Sequence, residues 1–212
     1  MSDLQIAEQI AGHLLRIGAI VLRPEEPFIW TSGLRAPIYC DNRVTISYPE
    51  VRDVIADAFA ARIRALYPEA DVIAGAATGG IPHAAWVADK LGLPMIYVRD
   101  KPKGHGKQNM IEGVLRPGQK VVVIEDLIST GGSSLKVAQA INEAAGLTLA
   151  VIAIFNYQLR KSQQAFADAD ITLHTLSHYE AMLVAAAHSG AISPEQVELL
   201  KSWRLNPEQY GV

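Results

Sequence analysis

Two acidic residues, Glu125 and Asp126, stand directly after the four β-branched residues Val121–Ile124 and directly before Leu127-Ile128-Ser129-Thr130-Gly131-Gly132-Ser133. The apolar run reads as a strand buried on both faces. The small residues after it read as a turn. Leu135, Ala138 and Ile141 then recur at helical spacing. A strand entering a helix through a hydroxyl- and glycine-rich turn makes an anion site. The first helical turn has unpaired N–H groups and a partial positive charge, and glycine lets a phosphate approach the backbone. Two carboxylates have no business beside a phosphate alone, so the pair suits sugar hydroxyls, a metal ion, or both. No Lys follows the glycines and the turn does not read GxGxxG, which excludes a P-loop and a dinucleotide fingerprint.

Two more stretches carry the same kind of chemistry. Thr78-Gly79-Gly80 is a second small-residue turn after an apolar run, suited to backbone donation to a phosphate oxygen. Residues 99–112, RDKPKGHGKQNMIE, bring Arg99, Lys101, Lys103, His105 and Lys107 together, loosened by Gly104 and Gly106. They show no apolar periodicity that would hold them to a core. Such a run is ordinarily a solvated surface. Here it follows a buried strand in a chain of net charge -3, and its cations suit a polyphosphate. Two phosphate-type turns and a cationic loop fit a ligand phosphorylated at both ends.

The elements that must position these residues alternate. Residues 3–17 read as an amphipathic helix ended by Gly18. A Pro-punctuated segment follows, with strand-like pieces around Ile29 and Ile38 joined by Ser32–Gly33; it reads as a small N-terminal hood, residues 1–45, over the rest of a single domain, residues 1–212. Ser47 and Glu50 have capping-box spacing before a helix running to Tyr67. Strands are then expected at Val72–Ala76, Met95–Val98, Val121–Glu125, Leu149–Phe155 and Ile171–Leu173. Helices are expected from Pro82 to Leu91, from Ser133 to Ala145, and over 178–188 and 194–203. Alternating β and α units imply an α/β fold with a central parallel sheet flanked by helices. Ligands bind such sheets at the carboxyl ends of the strands, which gathers the three loops along one edge.

Composition narrows the classes. Of 212 residues, 50% are hydrophobic and 19% charged, as in an ordinary enzyme. The slight acidity argues against a nucleic-acid surface, and the longest apolar run, Leu149–Phe155, is too short to cross a membrane. Asp3 and Glu8 stand where a secretory signal would be basic and apolar, so none is expected. A single cysteine, Cys40, permits no internal disulfide and fits a reducing cytoplasm. His83, His174 and His178 lack metal-ligand spacing and read as structural. Cys40 has no adjacent base and is not a candidate nucleophile. Trp30 can either stack on a ligand or pack within its own segment.

The strand, acid pair and Thr/Gly-rich turn resemble the phosphoribosyl-pyrophosphate (PRPP) motif of type I phosphoribosyltransferases. The segment Phe28–Arg43, FIWTSGLRAPIYCDNR, is similar to the base-binding hood of orotate phosphoribosyltransferases. Their basic loop is matched by Arg99, Lys103, His105, Gly106, Glu112 and Gly113. The resemblance spans about residues 5–175. It implies transfer of phosphoribose from PRPP to orotate, giving orotidine 5′-monophosphate and pyrophosphate in pyrimidine biosynthesis. Magnesium would be held mainly by PRPP. By the same resemblance Lys103, Glu125 and Asp126 are catalytic, with Lys103 acting electrostatically. PRPP would meet Arg99, Lys103, His105, Thr78, Gly79 and the run from Glu125 to Ser133, including Leu127, Ile128, Ser129, Thr130, Gly131 and Gly132. Orotate would meet Ser129, Ser32, Gly33 and Arg43, with Arg35 an alternative cation. The resemblance also implies a homodimer in which loop 99–112 serves the neighbouring subunit.

This chain departs from some relatives at Thr31 and Gly79, where they carry Lys, near Tyr157, where they carry Arg, and at Asp100, where they carry a cation. The alternatives are another PRPP-dependent base phosphoribosyltransferase, which would not need the hood, and a PRPP-binding regulator, which would bring a basic nucleic-acid surface. A PRPP-synthase-like kinase would need an ATP site.

Overall fold

A computed structural model describes residues 2–30, 32–101 and 110–210. Helix α1 (Asp3–Arg16) opens with a capping box in which the Ser2 hydroxyl accepts from Gln5 N–H, and it buries Ala7, Ile10, Ala11 and Leu14. Four short strands follow: β1 (Ile20–Leu22), β2 (Phe28–Ile29), β3 (Arg35–Ala36) and β4 (Ile38–Cys40). The pieces around Ile29 and Ile38 do not pair with each other. β2 pairs with β3 through a turn in which Gly33 takes φ +83°, and β4 returns to pair with β1. Helix α2 (Pro49–Leu66) starts one residue later than the capping-box pattern predicts. Its N-cap is Tyr48 with no side-chain cap, because Ser47 ends a 3-10 turn (Asn42–Ser47) and Pro49 fits the first helical position.

The central sheet takes its hydrophobic runs in the expected order. It comprises β5 (Val72–Ala76), β6 (Met95–Val98), β7 (Ile111–Glu112), β8 (Lys120–Ile128), β9 (Leu147–Asn156) and β10 (Leu173–His178), arranged β10-β9-β8-β5-β6-β7. All neighbours are parallel except β6 and β7, whose antiparallel pairing brings residues 99 and 110 together at the base of the basic loop. The helices between them are α3 (Gly80–Leu91), α4 (Gly132–Glu143), α5 (Arg160–Asp168), α6 (Tyr179–His188) and α7 (Pro194–Leu205). The pattern does not announce α5, whose buried residues are only Ser162 and Phe166. The last strand also lies later than the predicted 171–173.

Strand alternation divides the interior into two cores. Val72, Ala74, Val121, Val123, Val151 and Ala153 face α4 and α5 with Val137, Ile141 and Phe166. Ile73, Val122, Ile124, Ile152 and Ile154 face the other side, where α1, α2, α3, α6, α7 and the hood form one layer. Among the described residues no helix is long and apolar enough to cross a membrane.

Helix α3 lies unusually close to the sheet. A side chain at Gly80 would run its Cβ into the Ile124 carbonyl, and one at Gly75 would crowd the Ile81 backbone and the Ala84 side chain. Alanine at a helical glycine ordinarily gains about 1 kcal/mol. Here the overlap is with backbone, and overpacking of that kind costs about 1–3 kcal/mol. Gly80→Ala is therefore expected to lower the stability to denaturant, and a rise in the unfolding midpoint would contradict this close approach.

Candidate active site

The chain leaves β5 towards β6 on one side and reaches β8 on the other, so the carboxyl ends of β5 and β8 flank the switch point of the sheet. Both strands feed helices there with glycine at the N-cap, Gly79 for α3 and Gly131 for α4, and neither helix has a side-chain cap. Elsewhere in the chain, α1 and α7 carry full capping boxes at Ser2 and Ser193. Glycine in place of a Ser or Thr cap forgoes only a few tenths of a kcal/mol of helix stability. Two uncapped helix starts side by side leave first-turn N–H groups for an anion. Gly131 takes φ +84°, and Phe166 of α5 fills the space a side chain would need. The Ala77–Thr78 peptide entering the first turn is cis.

Glu125 and Asp126 lie within β8, so as consecutive strand residues they face opposite sides of the sheet. Glu125 is buried towards α4. Its carboxylate accepts from the Ser134 hydroxyl at 2.8 Å and the Asp126 N–H at 3.0 Å, with the Ser133 hydroxyl at 3.5 Å. Burial first, and the neighbouring Asp126 second, push its pKa well above the usual carboxylate range. Asp126 is half-buried on the α3 side, and its carboxylate lies against Gly79, where any side chain would collide with it. The pair expected to act together therefore divides. Glu125 braces the turn into α4, and Asp126 faces the groove between the two uncapped helices.

Beside this groove, an open cavity of about 1130 Å³ lies under the hood. Ser32 and Gly33 form part of one wall, Leu127, Ser129 and Thr130 another. Trp30 both lines the cavity and packs: its ring meets Tyr157 at 4.9 Å and Trp203 at 5.8 Å, and its indole N–H donates to the Ile38 carbonyl. Ile128, expected among the phosphate contacts, has its side chain wholly buried in the α4-side core, which leaves only its main chain for such a contact. Arg43 is a correction to the expected orotate contacts. It does not line the cavity, and its guanidinium is held by Asp41 at 2.7 and 2.8 Å. That pairing holds the Asp41 carboxyl below its ordinary range. Arg35 lines a different cleft, beside Trp203. Lys103, His105 and Lys107 lie outside the described residues. At the base of their loop Arg99 faces Glu112 at 3.5 Å.

Sequence reasoning missed Arg160 and Lys161, which reach the cavity from the first turn of α5. The signal was available: they follow β9 as the other site loops follow β5, β6 and β8, at the same edge of the sheet. His83 is a buried histidine on α3. Burial lowers its pKa to about 4, Thr45 meets one ring nitrogen at 3.3 Å, and its Nδ1 has no hydrogen-bond partner. Cys40 is buried and its thiol pKa is raised by burial, the opposite of a nucleophile's environment.

Comparison with known proteins adds an independent line. A model of the phosphoribosyl transferase domain matches residues 47–176. The chain is 54% identical over 207 residues to an orotate phosphoribosyltransferase of Enterococcus faecalis, covering 98% of this chain and 99% of the relative. It is 55% identical over 202 residues to that of Bacillus caldolyticus, covering 95% and 98%. The solved orotate phosphoribosyltransferase of Aeropyrum pernix shares the fold with a TM-score of 0.74 at 24% identity, over 87% of this chain and 99% of that one.

The buried Glu125 makes a pH prediction. Its folded-state pKa is raised, so the native state favours the protonated form. The associated stability is present below the ordinary glutamate value of 4.5 and is lost as pH rises above it. Glu125→Gln, which carries no charge at any pH, is expected to gain in thermal midpoint relative to the native protein as pH rises from 5 to 8. A difference independent of pH would show that Glu125 is not raised.

Proposed function

The chain belongs to the phosphoribosyl transferase family, and within it to the orotate phosphoribosyltransferases, and from that premise we propose that its groove and cavity together transfer phosphoribose from PRPP to orotate. One observation carries this reading beyond membership. The Asp126 groove, flanked by two uncapped helix starts, opens beside a hood-covered cavity wide enough for a base. Phosphate oxygens suit the first turns of α3 and α4, the ribose hydroxyls suit Asp126, and the base suits the cavity.

Displacing pyrophosphate builds positive charge on the sugar ring and negative charge on the leaving group. Asp126 favours the cationic ring, and Glu125 holds the turn on which the 5′-phosphate rests. Preorganised groups of this kind are typically worth ~100- to 1000-fold in rate each. The acidic ring nitrogen of orotate can bind already deprotonated, so the chain needs to supply little general-base help. Arg160, whose side chain borders the cavity, is the cation we assign to the orotate carboxylate in place of Arg43.

Magnesium takes about six oxygen ligands. Among the described residues no group of three or more His, Cys, Asp and Glu could hold a metal, and both Glu125 oxygens already accept hydrogen bonds. The residues fit an ion that takes Asp126 at most from the protein and the rest from substrate and water. When bound, such an ion would neutralise the departing pyrophosphate.

Orotate absorbance is expected to fall only when PRPP and magnesium are both supplied, and not with adenine, hypoxanthine or uracil in its place. Faster turnover of a purine base would overturn the assignment. In the same assay Arg160→Ala is expected to raise the KM for orotate while leaving that for PRPP within twofold.

The active form we propose is a homodimer in which the 99–112 loop of one subunit serves the other. Lys103→Ala and Asp126→Ala proteins are then each inactive. Mixed under subunit exchange, half the dimers combine one of each, and one site in each of these is intact. About a quarter of wild-type activity should return. A mixture that exchanges subunits and stays inactive would reject the shared site.

A further inference from the structure

We infer that Asn42, a residue of the segment that runs on from the hood, is a positioning residue for Asp126, so that the cover over the base also sets the ribose clamp. The inference rests on the function proposed above. β8 pairs with β5 only as far as Ile124, while its pairing with β9 continues to Ile128. The Asp126 carbonyl is met there by a side chain: Asn42 Nδ2 donates to it at 2.6 Å. A carbonyl can only accept, which fixes the amide's orientation. The other end of the amide, Oδ1, accepts from the Cys40 thiol of β4 at 3.3 Å.

The same residue is held from behind. The Asn42 carbonyl accepts from the Thr45 hydroxyl at 2.5 Å, and Thr45 meets His83 Nε2 at 3.3 Å. Asn42, Thr45 and His83 are all fully buried. His83 belongs to α3, the helix whose N-cap Gly79 lies against the Asp126 carboxylate. The contacts form a closed ring: main chain of Asp126, Asn42, Thr45, His83, first turn of α3, and back to the side chain of Asp126. One side of Asp126 is thus fixed by the hood segment and the other by α3. Removing the Asn42 amide leaves a buried carbonyl unpaired and frees the strand end that carries the carboxylate.

Asn42 does not itself line the base cavity. If it acts through Asp126, its loss falls on the other substrate. Asn42→Ala is expected to lower kcat roughly ten- to a hundredfold, the scale of a misplaced reacting group, and to raise the KM for PRPP. The KM for orotate should stay within about twofold. Made on top of Asp126→Asn, the same change should cost little more, since the carboxylate it positions is already gone. A loss confined to orotate KM, or full additivity with Asp126→Asn, overturns the inference. Should Asn42→Ala fail to fold, Thr45→Val removes the hydroxyl behind Asn42 at nearly constant volume. It is expected to give a smaller loss on the same PRPP side, and an unchanged PRPP KM and kcat would count against the ring. PRPP affinity of the free protein, measured by calorimetry, reads the Asn42 effect independently of base choice. Weakened PRPP binding in a protein that does not turn over orotate would sink the proposed reaction and leave this role standing.

Discussion

Everything at the site depends on how closely the first turn of α3 can approach the end of β8. Gly80 sits over the Ile124 carbonyl and Gly79 against the Asp126 carboxylate, both where a single methyl group would intervene. That approach brings an uncapped helix start alongside a carboxylate without an intervening side chain. It also sets α3 deep enough for His83 to reach the buried polar residues behind the hood. The second uncapped helix, α4, is tied to the same strand through Glu125 and Ser134. β8 is therefore gripped from both faces within two residues, and the groove between the helices inherits its width from backbone contact.

Charge in this region is arranged by depth. The deeper acid, Glu125, is shielded from water and its two oxygens are engaged by hydroxyl and amide donors, so it holds the turn. The shallower acid stands in the groove. Positive charge reaches the cavity from Arg160 and Lys161 in the first turn of α5, and Arg99 stands at the base of the basic segment.

Much of this was legible in the residue order. Val121–Ile124 and Leu149–Phe155 are apolar on both strand faces and can only be central, and the small-residue turns after β5 and β8 point to a phosphate edge. The hood was legible as a resemblance and not as a structure. Its strands are two or three residues long, too short for any period, and their pairing is decided by packing against α1 and α7. Helix α5 escaped because its length is nearly all polar and Phe166 alone supplies its apolar anchor. The division of labour between Glu125 and Asp126 follows from strand alternation and could have been read. Two adjacent carboxylates look like a pair only until the strand is seen to run through them. Arg43 looked available because its partner, Asp41, is only two residues away and the intervening chain must turn to bring them together.

The cover over the cavity is fastened in a particular way. The Trp203 indole donates to the Arg35 carbonyl, the Tyr210 hydroxyl to the Pro24 carbonyl, and the Trp30 indole to the Ile38 carbonyl. Each fastening grips main chain, which every amino acid supplies. The fastenings therefore do not depend on the side chains at positions 24 and 35, whereas at position 38 the side chain is itself buried in the core. Residues 203 and 210 also lie beyond the stretch matched by the general phosphoribosyl transferase model, as does the whole hood. The cover and the residues that clasp it from the end of the chain thus stand outside the stretch that matches the general phosphoribosyl transferase model.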